Sequence, residues 1–220
     1  TLRLSLRGAD RSGDDYYHAG LTTDLRVALA SPELQPYQRV VVVGFSMGGH
    51  IALRLAAEGS HRVSAFATVC APLDLRASGE FIDRRRSYPY RRHLLSGLKE
   101  MYSEFARRRP DNALSAAELS RSRRIRDYDE AVIVPRYGFA NANDYYRRAS
   151  AGPILGEIST PTLFLAAQSD PMITPATLVR PLARRSKHVD VRWLHRGGHV
   201  AFPGHARLED QVLGWLKSRA

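Results

Sequence analysis

The sequence predicts an α/β protein: a mostly parallel, doubly wound sheet interrupted by a helical cap insertion. Three observations carry this. Short β-branched and apolar runs alternate with amphipathic helical stretches along most of the chain, which implies parallel crossover units. One run, Val40 to Val43, is four consecutive valines, the pattern of a strand buried on both faces. The rhythm then stops over residues of about 79–151 and resumes, as it does when an insertion sits over strand ends.

The elements follow in order. "LRLSLRG" reads as a strand ending near Gly8, and "LTTDLRVALAS" as a helix with Leu21, Leu25, Ala28 and Leu29 on one face. "RVVVVGF" is the next strand, and the stretch from Met47 to Glu58 is a helix that Gly59 closes. "RVSAFATVC" is a strand ending before Pro72. After the insertion come the strand "TPTLFLAA", a helix in "PATLVRPLARRS", the strand "VDVRWLH" and a last helix in "HARLEDQVLGWLKSRA". Within the insertion, a helix is expected around His93 to Phe105, then an arginine-rich stretch to Arg126, then the aromatic positions Tyr128, Tyr137, Phe139, Tyr145 and Tyr146. At 220 residues the expectation is one domain, 1–220, with no repeat or low-complexity tract.

Composition narrows the classes. Cys70 is the single cysteine, so no internal disulfide forms, and its apolar setting reads as a buried, inert thiol. That fits a reducing, cytoplasmic setting. The longest apolar run falls far short of the roughly 18–20 residues a membrane span needs. The formal charge is +11, and only three of the 33 basic residues, Lys99, Lys187 and Lys217, are lysine. Arginine spread along the whole chain looks like coding bias more than a nucleic-acid face, and no nucleic-acid motif accompanies it, so nucleic acid is not an expected partner. The arginines thicken between Glu80 and Arg126, where the net charge is +7. The plain reading is a solvated surface, and the alternative is attraction to an anionic membrane or substrate.

In open parallel sheets, ligands meet the carboxyl ends of the strands. "GFSMG", residues 44–48, is a Gly-x-Ser-x-Gly at such an end, between a buried strand and a helix. Glycines on either side, Gly44 and Gly48, would remove side chains that collide in the turn, and Ser46 Oγ would stand exposed as a nucleophile. The Met47 amide, in the first turn of the helix, would be ready to donate to an oxyanion. A serine hydroxyl needs a base. Among eight histidines, His199 in "HRGGHVAF" lies in a glycine-bearing loop right after a strand, and His195 is nearer the strand and more apt to bond locally. His18, His50, His61, His93, His188 and His205 lie in turns, helices or exposed segments. The base needs a carboxylate to fix its tautomer. Asp170 follows "LFLAAQS" directly, with a simple turn aspartate as its plain alternative, and Asp74 in "CAPLDL" is the rival. Ser46, Asp170, His199 is also the chain order of hydrolases built on this kind of sheet.

The pieces "LRGADRSGDDYYHAGLTTDL", "VVVGFSMGGHIAL", "APLDL", "RDYDEAVIVPRYGFANANDYYRRAS", "ISTPTLFLAAQSDPMI" and "GGHVAF" resemble the YheT-like branch of the α/β-hydrolase superfamily. The resemblance spans nearly the whole chain. It implies Ser46 as nucleophile, Asp170 as acid, His199 as base and the Met47 amide in the oxyanion hole, acting on carboxylic esters, including some lipids, without metal or organic cofactor. It also implies strands and a His-Gly loop ahead of "LRLSLRG" that supply a second oxyanion donor. Their absence here suggests a piece of a longer protein or an incomplete hole. Ser169 stands where relatives often carry a second aspartate. The expectation is a serine esterase or lipase, with Phe45, Tyr137 and Phe139 lining an acyl pocket and a small ester or lipid as partner. The same triad cleaving phospholipids, thioesters or amides, or an inactive binding module, is the alternative.

Overall fold

The computed structural model describes residues 1–111, 114–202 and 208–219. In chain order its elements are α1 (Thr23–Leu29), β1 (Val40–Phe45), α2 (Met47–Glu58), β2 (Val63–Val69), α3 (Leu75–Ile82), α4 (Tyr88–Arg108), α5 (Ala116–Arg121), α6 (Ile125–Tyr128), a π-helix (Asp129–Ile133), α7 (Val134–Tyr137), α8 (Ala142–Ala149), β3 (Thr162–Ala167), α9 (Pro175–Leu182), β4 (Val189–Leu194) and α10 (Leu208–Lys217). They form two compact units: residues 22–74 with 150–220, and residues 1–21 with 75–149. The insertion expected over about 79–151 thus starts a few residues earlier and takes residues 1–21 with it.

The first unit holds the sheet. Its four strands lie in the order β1-β2-β3-β4, every neighbouring pair parallel. In β2 the side chains alternate between faces. Ala65, Ala67 and Val69 join Leu163, Leu165 and Ala167 of β3 in a cluster closed by Val212, Trp215 and Leu216 of α10. The Trp215 indole N–H donates to Asp190 Oδ2 of β4 at 2.8 Å, which satisfies the ring's polar end. α2 packs on β1 and β2. It buries Ile51, Leu53 and Leu55 completely, each worth about 1.5–3 kcal/mol relative to exposure.

The sequence expectation fails in two places here. "LRLSLRG" forms no strand: residues 1–6 carry no ladder, and Leu2 and Leu4 are 51% and 45% exposed. Alternating apolar residues favour extended backbone, but a strand exists only where a neighbour accepts its hydrogen bonds. β1 is also not buried on both faces. It is the sheet edge, and Val41, Val43 and Phe45 on one of its faces are exposed. A continuous valine run reports β preference without reporting how many neighbours the strand has.

The other unit is built on aromatic residues. Tyr16 is buried, its hydroxyl donates to the Val132 carbonyl at 3.1 Å, and its ring meets Phe105 edge-on at 4.9 Å. The Ala19 amide donates to the Tyr145 hydroxyl at 3.0 Å, and Asp15 takes a two-pronged contact from Arg136 at 3.1 and 2.8 Å. α4 runs from Tyr88 to Arg108, longer at both ends than the expected helix. The widened π turn ahead of α7 has a local cause: Pro135 has no amide proton and its ring crowds the preceding turn. The Val134 amide bonds five residues back, to the Asp129 carbonyl.

Candidate active site

Ser46 stands between β1 and α2 with φ +49° and ψ −120°, a backbone region that side-chain-bearing residues rarely occupy. Its amide donates to the Val69 carbonyl of β2 at 2.8 Å and its carbonyl accepts from the His50 amide at 3.0 Å, so both ends of the turn are pinned. The glycine requirement differs from expectation at one position. A Cβ on Gly44 would lie 2.6 Å from the Gly48 carbonyl oxygen and 2.7 Å from the Gly49 Cα, whereas one on Gly48 meets nothing within 4 Å. Gly49 is the second glycine the turn requires, because its Cβ would lie 2.9 Å from the Gly44 oxygen. Gly44→Ala is expected to lower stability by about 2 kcal/mol or more, since only backbone could give way, and Gly48→Ala by less than about 1 kcal/mol. Urea midpoints of the two variants measure the contrast.

Three loops at the strand ends bring the sequence-derived residues together. His199 Nε2 lies 2.7 Å from Ser46 Oγ, and His199 Nδ1 lies 2.8 Å from Asp170 Oδ2. The other carboxylate oxygen of Asp170 accepts the amides of Met172 and Ile173 at 2.8 and 2.9 Å. Asp170 is thus both the turn aspartate of the plain reading and the partner of His199. Burial pushes its carboxyl up, but the hydrogen bonds from His199 and the two amides outweigh burial, and it ionises below the usual range. An ionised carboxylate can only accept, which puts the proton on His199 Nδ1 and leaves Nε2 to accept from the Ser46 hydroxyl. The two amides holding Asp170 are the contribution that sequence reading missed, though Asp-Pro-Met-Ile carried the signal of an Asx turn.

Met47 opens α2, where helix geometry leaves its amide without an acceptor inside the helix. Phe45 is 45% exposed on the other side of Ser46. Tyr137 and Phe139 belong to the other unit, where their rings lie 4.3 and 5.5 Å from His18. His195 donates from Nδ1 to Gln168 Oε1 at 3.1 Å, the local bond expected of it. His50 is no surface residue: it is fully buried and donates from Nδ1 to the Pro72 carbonyl at 2.7 Å, tying α2 to the segment after β2. His205 lies outside the described residues.

Cys70 is fully buried at the end of β2 with φ +50°. Burial, then the charge of Asp170, pushes its thiol up to about 12. Its sulfur lies within 4.8 Å of the ligand atoms of Asp170 and His199, the one trio among the described residues with spacing for a metal ion. Those atoms are engaged with each other and the thiol holds its proton, so a cation would have to displace two protons and break the His199–Asp170 bond. The donor set fits a proton relay better than a metal site.

A parallel sheet with a serine turn between strand and helix, and an aspartate and a histidine just past later strands, defines an α/β hydrolase. The family model for the α/β hydrolase fold matches residues 2–206, and the chain belongs to that family. Within it, the chain is 35% identical over 212 residues to the candidate esterase YheT of Escherichia coli, an alignment covering 92% of this chain and 60% of that protein. It is 29% identical over 213 residues to a monoacylglycerol lipase of Saccharomyces cerevisiae, covering 93% of this chain and 44% of the lipase. The chain therefore spans about half of the length of these relatives. The crystal structure of a monoacylglycerol lipase from Paleococcus ferrophilus shares the fold, with a TM-score of 0.52 at 15% identity over 90% of this chain and 76% of that one. No helix among the described residues is long and apolar enough to cross a membrane.

Proposed function

We propose that this chain is a serine hydrolase that cleaves carboxylic esters of the esterase or lipase type. The observation that carries the reading is the unbroken chain from Ser46 Oγ through His199 to the ionised Asp170. Ser46 Oγ attacks the ester carbonyl carbon while its proton passes to His199 Nε2. The carbonyl oxygen takes the negative charge and accepts a hydrogen bond from the Met47 amide. His199 then gives the proton to the departing alcohol, which leaves an acyl group on Ser46. Water, deprotonated by His199, attacks that acyl group and releases the carboxylic acid. Asp170 holds the imidazole in the required tautomer and balances its transient positive charge. Phe45, exposed beside Ser46, is positioned to touch the acyl chain.

The relatives named as an esterase and as a monoacylglycerol lipase favour ester substrates over amides. The direct test is labelling with a fluorophosphonate probe, followed by turnover of a monoacylglycerol, a phospholipid, a thioester and an amide. Labelling at Ser46 with ester turnover is expected; no labelling would leave a hydrolase fold used for binding. Asp170→Asn is expected to lower kcat about 10⁴-fold, because the amide no longer imposes the tautomer that leaves Nε2 free to accept. Steady-state kinetics on a chromogenic ester reads that loss.

A further inference from the structure

The geometry points to an anion site in the insertion unit: the arginine-lined cavity at α3, α6 and α8 takes a phosphate-bearing ligand. The cavity has a volume of about 270 Å³, and Arg76, Arg84, Arg124 and Arg126 line it together with Glu80, Asp83 and Tyr146. The acids there are occupied. Glu80 accepts from Arg76 Nε at 2.8 Å. Asp83 accepts the Ile125 amide at 3.0 Å. Asp127, next in sequence, turns an oxygen to the amides of Arg123 and Arg124 at 3.0 and 2.9 Å. The Tyr146 hydroxyl donates to Asp129 at 2.6 Å.

What remains is cationic. Arg126 donates to the neutral Asn143 Oδ1 at 2.7 Å. Arg84, Arg124 and Arg126 have no carboxylate within ion-pair distance among the described residues. Three guanidiniums with spare N–H groups around one hollow call for an acceptor with several oxygens and more than one negative charge. A phosphate ester meets that demand better than a carboxylate, which offers two oxygens and one charge. A hollow of this size holds a phosphate with a small alcohol such as glycerol attached. Its aromatic wall, Tyr146, is buried and committed to Asp129, so no stacking platform for a nucleobase is present. The site concentrates what the charge of the Glu80 to Arg126 stretch only suggests, and all of its lining residues belong to the insertion unit.

Two sources share this chemistry, a free phosphate ester and the headgroup of an anionic phospholipid. Calorimetry of the full chain with glycerol 3-phosphate and with inorganic phosphate tests the first. Co-sedimentation with phosphatidylcholine vesicles, with and without phosphatidylglycerol, tests the second. The Arg84→Ala/Arg124→Ala double variant is expected to weaken binding at least tenfold. Arg180→Ala/Arg184→Ala, which removes the same charge from exposed positions in the other unit, is expected to change it less than twofold. Saturable binding of glycerol 3-phosphate assigns the site to a free ester, and binding only to phosphatidylglycerol vesicles assigns it to a lipid headgroup. Equal losses in the two double variants, or no binding of any of these probes, would overturn the proposal.

Discussion

Ser46→Ala is expected to reduce kcat/KM for p-nitrophenyl ester hydrolysis by roughly 10⁵-fold, with little change in thermal stability. The size follows from serine hydrolysis in general, where loss of the nucleophile leaves only the contribution of binding and oxyanion donors. The small stability change follows from the site itself: Ser46 Oγ bonds to His199, and the strained turn is held by backbone bonds to Val69 and His50 that alanine keeps. A structural turn serine would behave differently, with unchanged turnover. The double variant Ser46→Ala/His199→Ala sharpens the test. If the two side chains act as one relay, removing the second costs almost nothing more, because the first substitution has already ended the reaction path they share. Additive losses in kcat/KM would mean that the two act independently, and the relay reading would fall.

The hydrogen-bonded grouping of Ser46, His199 and Asp170 was legible because each of its parts is announced locally. β1 runs into Gly-Phe-Ser-Met-Gly, β3 is followed by Gln-Ser-Asp-Pro and β4 by Gly-Gly-His, so parallel topology alone carries the three side chains to the carboxyl ends of the strands. Other features were not legible because they depend on neighbours far along the chain. Leu2 to Leu6 alternate like a strand, but pairing is a property of two segments, and no alternation reveals whether the second is present. The identity of the close-packed glycine, Gly49 rather than Gly48, depends on how α2 leans on β1, which a five-residue motif does not encode. Of the aromatic residues after Arg126, only Tyr137 and Phe139 were given a role, as pocket-lining, and the other three none. Tyr128, Tyr145 and Tyr146 instead form the insertion unit's own core, since a unit without a sheet must bury its largest side chains against one another. The acid they surround could not be told from a solvent-facing aspartate without their positions.

That acid, Asp129, sets the pH dependence expected of the insertion unit. It is buried, accepts from the Tyr146 hydroxyl at 2.6 Å, and has no ion-pair partner among the described residues. Burial pushes its carboxyl up to about 7, the nearby charges of Asp83 and Glu130 push the same way, and the Tyr146 hydrogen bond and Arg126 only partly oppose them. In the unfolded chain the same group ionises near pH 4. Between those limits the folded state holds a proton that the unfolded state has released, so stability falls as pH rises from about 4 through 7 and levels off above. The full swing is on the order of 4 kcal/mol. Asp129→Asn keeps an oxygen for the Tyr146 hydroxyl and removes the titration. Urea unfolding at pH 5 and pH 8 should therefore show the variant losing less stability than the parent over that interval, and exceeding it at pH 8. If both proteins lose the same amount, Asp129 is ionised in the folded state throughout, and water or a cation reaches a carboxylate that the packing of Tyr128, Tyr145 and Tyr146 would have to admit.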